Sequence, residues 1–228
     1  MKSSILHIFP RPIILIVVLC SVAIQLTAQT NSNGNFLQYL FPGFTKGLVR
    51  MKTGESYNAV LNYNTVTENI VWEKDSKLLD LTNMESVDTI FLQNRKFVPF
   101  NEVFYEVLVN APISLFIQHK SDLVQAGSPA GYGTTSQTSS IKNLSSVSLK
   151  SGTYNLEIPS DYDIKPSPVF WIRKNNTMLS FLNKRQFLKI FPGKNDEIEK
   201  FIKQNHLNIE NRDDLINLVN YCNQIELR

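Results

Sequence analysis

Five glutamates, Glu55, Glu68, Glu73, Glu102 and Glu106, are the residues best suited to chemistry in the first half of the chain. Two carboxylates brought within roughly 5 to 10 Å of each other can hydrolyse a glycosidic bond, one as acid and one as base or nucleophile. Such acids can come from distant strands, so their spacing in sequence neither makes nor excludes a pair. Most of the five fall at expected strand ends or on the polar phase of a strand, where exposed charge is ordinary. Glu106 is different. It lies between Tyr105 and Val107, and a period of two puts Phe104 and Leu108 on its own side, so it is either edge-exposed or a charge placed among core residues.

Other reactive residue types are sparse. His119 stands in phase with Ile113, Leu115 and Ile117 and reads as a partly buried, hydrogen-bonded histidine; His206 follows a helical segment. No His, Cys and Glu cluster has zinc-ligand spacing. The chain has no Gly-x-Ser-x-Gly elbow and no glycine loop leading into a helix to cradle phosphate. Asp161-Tyr162-Asp163 resembles the start of a calcium loop but lacks its glycine turn and closing acid. Cys222 shares a helical stripe with Leu215, Leu218, Val219 and Ile225, which marks it as a small buried hydrophobe. No catalytic residue, metal ligand or cofactor follows from this inventory. The one candidate binding residue is Tyr132, set between Gly131 and Gly133 in the glycine- and serine-rich stretch 126–140.

The elements that would hold these residues are mainly strands. The period-two pattern and turn residues predict strands over Gly47–Lys52, Glu55–Asn64, Asn69–Lys74, Lys77–Leu81, Val87–Leu92, Arg95–Phe100, Val103–Val109 and Ile113–Gln118. Thr53-Gly54 is the strongest hairpin signal. Phe36–Phe44 is an opening strand or an aromatic plug. After the break at 125–145, expected as a mobile loop, strands resume at Ser146–Leu149, Thr153–Ile158, Val169–Arg173 and Met178–Leu182. Ser160–Pro168 is expected as a connector, too rich in proline and aspartate for a strand. From Asn183 the period lengthens to that of helices, with Asn183 and Gln186 at capping-box spacing and a last helix starting near Asn211.

The expected fold is therefore α+β and mainly β: an antiparallel meander forming a small barrel or sandwich, with two or three short C-terminal helices packed on it. The expected division is a signal peptide at 1–28, a flexible lead-in at 29–45, a β-rich body at 46–182 and a helical tail at 183–228 docked on the body.

The leader rests on Lys2 and Arg11, an apolar run from Ile13 to Ile24, and Leu26-Thr27-Ala28 before Gln29. That run is short of the roughly 20 residues that span a bilayer. Cys20 follows Val17-Val18-Leu19, a poor lipidation motif. The net charge of +3 falls to +1 once Lys2 and Arg11 are set aside, and no cluster of Lys and Arg suggests nucleic acid. With 43% hydrophobic and 19% charged residues in 228, the chain can bury a core without disulfide or metal.

The stretches Gly47-Leu48-Val49-Arg50-Met51-Lys52, Tyr57–Asn64, Arg95–Pro99, Phe104–Val107, Lys184–Pro192 and Leu215–Asn223 together resemble a family of uncharacterised exported proteins of Gram-negative bacteria, in which a β-rich body ends in a short helical tail. The resemblance implies the periplasm, outer envelope or secretion as location, and carries no reaction and no site residue. The expected function is an exported, non-enzymatic binding or structural module with an envelope or extracellular protein or glycan as partner, no nucleic acid, and no membrane span after cleavage. The alternatives are a glycan hydrolase using carboxylates from separate strands and a membrane-associated envelope component.

Overall fold

The computed structural model describes residues 36–125, 128–130, 134–136, 158 and 162–226. The leader, Tyr132 and the strands expected at 146–149 and over most of 153–158 lie outside the described residues.

Ten strands form one antiparallel sheet: β1 (Thr45–Met51), β2 (Ser56–Asn64), β3 (Asn69–Lys74), β4 (Lys77–Asp80), β5 (Val87–Leu92), β6 (Arg95–Phe100), β7 (Val103–Val109), β8 (Ser114–Gln118), β13 (Val169–Lys174) and β14 (Thr177–Phe181). Between β8 and β13 come β9 (Ser121–Gln125), β10 (Ser128–Ala130), β11 (Thr134–Ser136) and β12 (Tyr162–Pro166). The spatial order is β14-β13-β8-β7-β6-β5-β1-β2-β3-β4. Two meanders thus meet at β1, which pairs with β2 on one side and β5 on the other. The sheet is mainly β architecture as expected, and it is not closed edge to edge.

Four of its hairpins turn by the same device. Asp75-Ser76, Gln93-Asn94, Asn101-Glu102 and Asn175-Asn176 all have positive φ at both turn residues. This is the signature of the two-residue turn whose twist matches that of the flanking strands. The β1–β2 turn instead uses Gly54, at φ +92°.

Three differences from the expected elements have physical causes. Ser160–Pro168 contains a strand after all, because β12 pairs on one side only, with β9. The free side of such a strand tolerates proline. Within the expected loop, β10 and β11 pair as a short ladder. The polar side of β2 is not solvated at its end: Asn62 and Asn64 are buried. The Asn62 amide donates to the Phe41 and Gly43 carbonyls at 3.0 and 3.1 Å, and its oxygen accepts from the Phe41 amide at 3.2 Å. Phe36–Phe44 is therefore the plug rather than the opening strand, with Phe41 buried in the sheet's core.

The helices are α1 (Lys184–Lys189), α2 (Asn195–Gln204) and α3 (Arg212–Glu226). Asn183 caps α1, accepting from the Gln186 amide at 3.0 Å. Asn211 caps α3, accepting from the amides of Asp213 and Asp214. They pack on β7, β8, β13 and β14 through a cluster containing Leu115, Ile172, Phe187, Phe191, Leu218 and Cys222. A second cluster, with Phe41, Leu61, Tyr63, Ile90, Phe97 and Phe104, fills the curl of β1, β2, β5, β6 and β7. The two are distinct, and β7 serves both: Phe104 enters the second, while a bulge at Leu108 turns both Leu108 and Val109 to the helices.

Candidate functional site

From β1 to β14, strand register places one cross-strand rung through seven strands: Val49, Ile90, Phe97, Glu106, Ile117, Phe170 and Phe181. Six members are apolar and the seventh is Glu106. It sits in a central strand at 1% exposure, so the edge position considered from sequence is excluded.

A buried carboxylate needs partners, and Glu106 has three. Arg95 of β6 donates to Oε2. His119 Nε2 lies 2.7 Å from the same oxygen, and Arg212 Nη2 at the start of α3 reaches Oε1 at 3.1 Å. The Arg95 guanidinium lies over the Phe41 and Phe97 rings, 5.1 and 5.7 Å from their centroids. The His119 ring meets Tyr63 edge-on at 5.8 Å.

Burial alone would raise the Glu106 pKa. The hydrogen bonds and charges of His119 and Arg95 outweigh it and hold the carboxyl at about 2. His119 is pushed below its ordinary value, first by burial and then by the arginine charges, against the pull of Glu106. A neutral His119 with its proton on Nε2 donates to Glu106. The Arg95 Nη2 contact to that nitrogen, 2.7 Å, is then a close approach of two donors sharing one acceptor.

Glu68 makes a second buried acidic site. It is the last residue of the β2–β3 turn, at φ +59°, and the turn reaches both β7 and the start of β9. Its carbonyl accepts from the Phe104 amide at 3.4 Å, and the Thr65 carbonyl accepts from the Ser121 amide at 2.8 Å. Gln118 donates to the Glu68 carboxylate and accepts from Trp171 Nε1 at 2.8 Å. Burial raises the Glu68 pKa; the Gln118 hydrogen bond and nearby Lys120 oppose it, and Asp122 adds to the rise.

The other three glutamates, Glu55, Glu73 and Glu102, are exposed. His206 is exposed as well, whereas Cys222 is buried and its thiol is pushed up to about 12, chiefly by burial. No group of three or more His, Cys, Asp or Glu among the described residues is arranged to hold a metal.

The opposite face of the sheet carries a pocket of about 410 Å³. Lys52, Lys96 and Arg173 line it, with Asp88 as the one acid among the described lining residues. Val98, Phe100 and Phe116 are among its apolar residues. The Arg173 guanidinium lies 5.1 Å from the Phe116 ring centroid and donates to Ser114 Oγ at 3.2 Å. The Phe100 ring is 41% exposed and meets Tyr105 edge-on at 6.1 Å. Among the described residues, none of these three cations forms an ion pair. The sequence reading missed this surface, because its cations come from three separate segments and form no run. The signal was the alternation itself: Lys96 and Val98 share a phase opposite to Phe97.

The chain matches no protein-family model, no curated protein and no solved structure.

Proposed function

We propose that the chain is an exported, non-enzymatic binding module that holds an anionic partner of the bacterial envelope in the pocket on the sheet face opposite Glu106. One observation carries this reading: three cations without carboxylate partners among the described residues stand beside exposed apolar surface in a concavity of ligand size. Unpaired charge on a folded surface is ordinary, but three cations lining one pocket give it a positive field for an anion.

The hydrolase alternative has less support. A hydrolase needs two carboxyls that reach one substrate, one protonated and one ionised; Glu106 is held ionised and Glu68 has its pKa raised, but both are covered, at 1% and 7% exposure, and neither lines the pocket. The partners of Glu106 are spent on neutralising it within the fold. For the membrane-associated alternative, no helix among the described residues is long and apolar enough to cross a bilayer.

Export follows from the charged, apolar, small-residue order of the first 28 residues. Its test is N-terminal sequencing after fractionation: a mature N-terminus near Gln29 in the soluble envelope fraction is the expected result, and a retained Met1 overturns it. The binding reading is tested by hydrogen exchange on the mature chain, with and without soluble envelope extract. Protection of Lys96–Val107 that disappears in Lys96→Glu is the expected result. Protection confined to other strands, or none at all, overturns it.

A further inference from the structure

We propose that the pocket on the sheet face opposite Glu106 takes an acidic saccharide: a sugar ring lying on the exposed apolar surface around Phe100, its carboxylate or phosphate met by Arg173 and Lys96, with Lys52 adding positive charge at the far end of the lining. This inference rests on the binding reading above and names its ligand class.

The anionic group follows from charge. Three cations and a single acid leave the lining two charges positive. Arg173 is the best placed of the three. Stacking on Phe116 and the hydrogen bond to Ser114 Oγ fix its guanidinium, leaving other N–H donors to meet a planar or tetrahedral anion. An arginine immobilised in advance loses little freedom on binding.

The ring follows from what stands beside the charge. Phe100 offers an aromatic surface, and the C–H face of a pyranose is slightly positive where an aromatic face is negative. A bare phosphate would leave this surface unused.

The hydroxyls follow from the remaining polar groups. Asp88, Asn110 and Asn176 also line the pocket and supply both acceptors and donors. An alkyl carboxylate would lie over these groups without pairing with them. A polyhydroxyl ligand pairs with them. The volume, about 410 Å³, suits one or two sugar units rather than a long acyl chain.

The test is titration of the mature chain, followed by amide and side-chain NMR signals of Val98, Phe100 and Val107. The probes are a glucuronate disaccharide, glucose 6-phosphate, neutral glucose, inorganic phosphate and decanoate. Saturable shifts at these residues with the disaccharide or the sugar phosphate, and none with glucose, support the proposal. Whichever of the two binds more tightly separates a uronic acid from a phosphorylated sugar. Arg173→Gln and Lys96→Ala, each checked for an unchanged melting temperature, should weaken binding at least about 10-fold, the effect of losing one charge-assisted contact. Shifts with decanoate or inorganic phosphate alone overturn the saccharide class and leave the binding reading standing. No shift with any probe overturns the saccharide proposal; the hydrogen-exchange experiment then judges the binding reading separately.

Discussion

Arg212, the first residue of α3, closes an ion pair 106 residues back along the chain, its Nη2 lying 3.1 Å from Oε1 of Glu106 in the middle of β7. The pair stands between the helix-packed cluster and the sheet's own cluster, and so joins the tail to the body at a point where apolar packing alone is interrupted. At the far end of the same helix, Asn223 donates to the Ile113 carbonyl and accepts from the Ile113 amide, each at 2.9 Å. The tail is held to the sheet by polar contacts near both ends of α3.

Removing the acid should be costly. Glu106→Ala leaves Arg95 and His119 facing a cavity with no counter-charge, and breaking a buried pair this way costs about 3 to 5 kcal/mol. Arg212 is half exposed, so Arg212→Ala should cost under about 1 kcal/mol in the solvent-screened regime. Urea unfolding of the two variants measures the difference. Equal losses would mean that Arg212, not the buried core of the cluster, dominates.

Acid should weaken the fold in two stages. His119 has a folded pKa below its ordinary 6.5, so its contribution is complete above that value and declines as pH falls below it. Glu106, lowered from 4.5 to about 2, contributes fully above about 4.5 and loses that contribution as pH falls to about 2. Glu68 is raised and works in the opposite sense, its contribution present below 4.5 and lost as pH rises through its folded value. Stability against pH, taken from urea midpoints, should have a shallower slope between pH 4.5 and 2 in Glu106→Gln. An unchanged slope would sink the assignment.

Cys222 should be inert in the native protein. It is fully buried and its thiol is pushed up to about 12, so almost no thiolate exists at neutral pH. Labelling of the mature chain by a thiol reagent should be slow without denaturant and should rise in step with unfolding. Rapid labelling in buffer would show that the tail opens locally.

Two backbone positions should respond in opposite directions. Glu102 holds φ +63° in a tight turn, and Glu102→Gly should raise stability by about 0.5 to 1 kcal/mol. Gly47 has no room for a side chain, since a Cβ would stand 2.9 Å from the Phe91 carbonyl oxygen; Gly47→Ala should cost about 1 to 3 kcal/mol. Melting temperatures of both variants provide the check.

Strand positions were legible because they depend on local pattern. Val87–Leu92, Arg95–Phe100 and Val103–Val109 are bounded by Gln93-Asn94 and Asn101-Glu102, whose types and short length leave little choice of turn. The helical tail was legible for the same reason. Partners across strands were not. Arg95 shares a phase with Phe97, and Phe97 lies opposite Glu106, so Arg95 is the diagonal neighbour of the acid. That relation exists only once register is known. Arg212 was harder still, because its place depends on how α3 docks. The pocket was hidden likewise, its three cations coming from the end of β1, from β6 and from β13. Tyr132, the one binding residue singled out from sequence, lies outside the described residues.

The central place of β1 has a consequence for how the chain is made. β1 precedes every other strand of the sheet, in synthesis and in export alike, and is joined to β2 by the short turn at Gly54. Its other edge waits until Val87–Leu92 has been made. During that interval the nascent β1–β4 meander presents Leu48 and Val49 on an unpaired edge, open to a strand from another copy. Lys46 and Arg50 on β1 are then charges that discourage wrong pairing, a service that ends when β5 arrives.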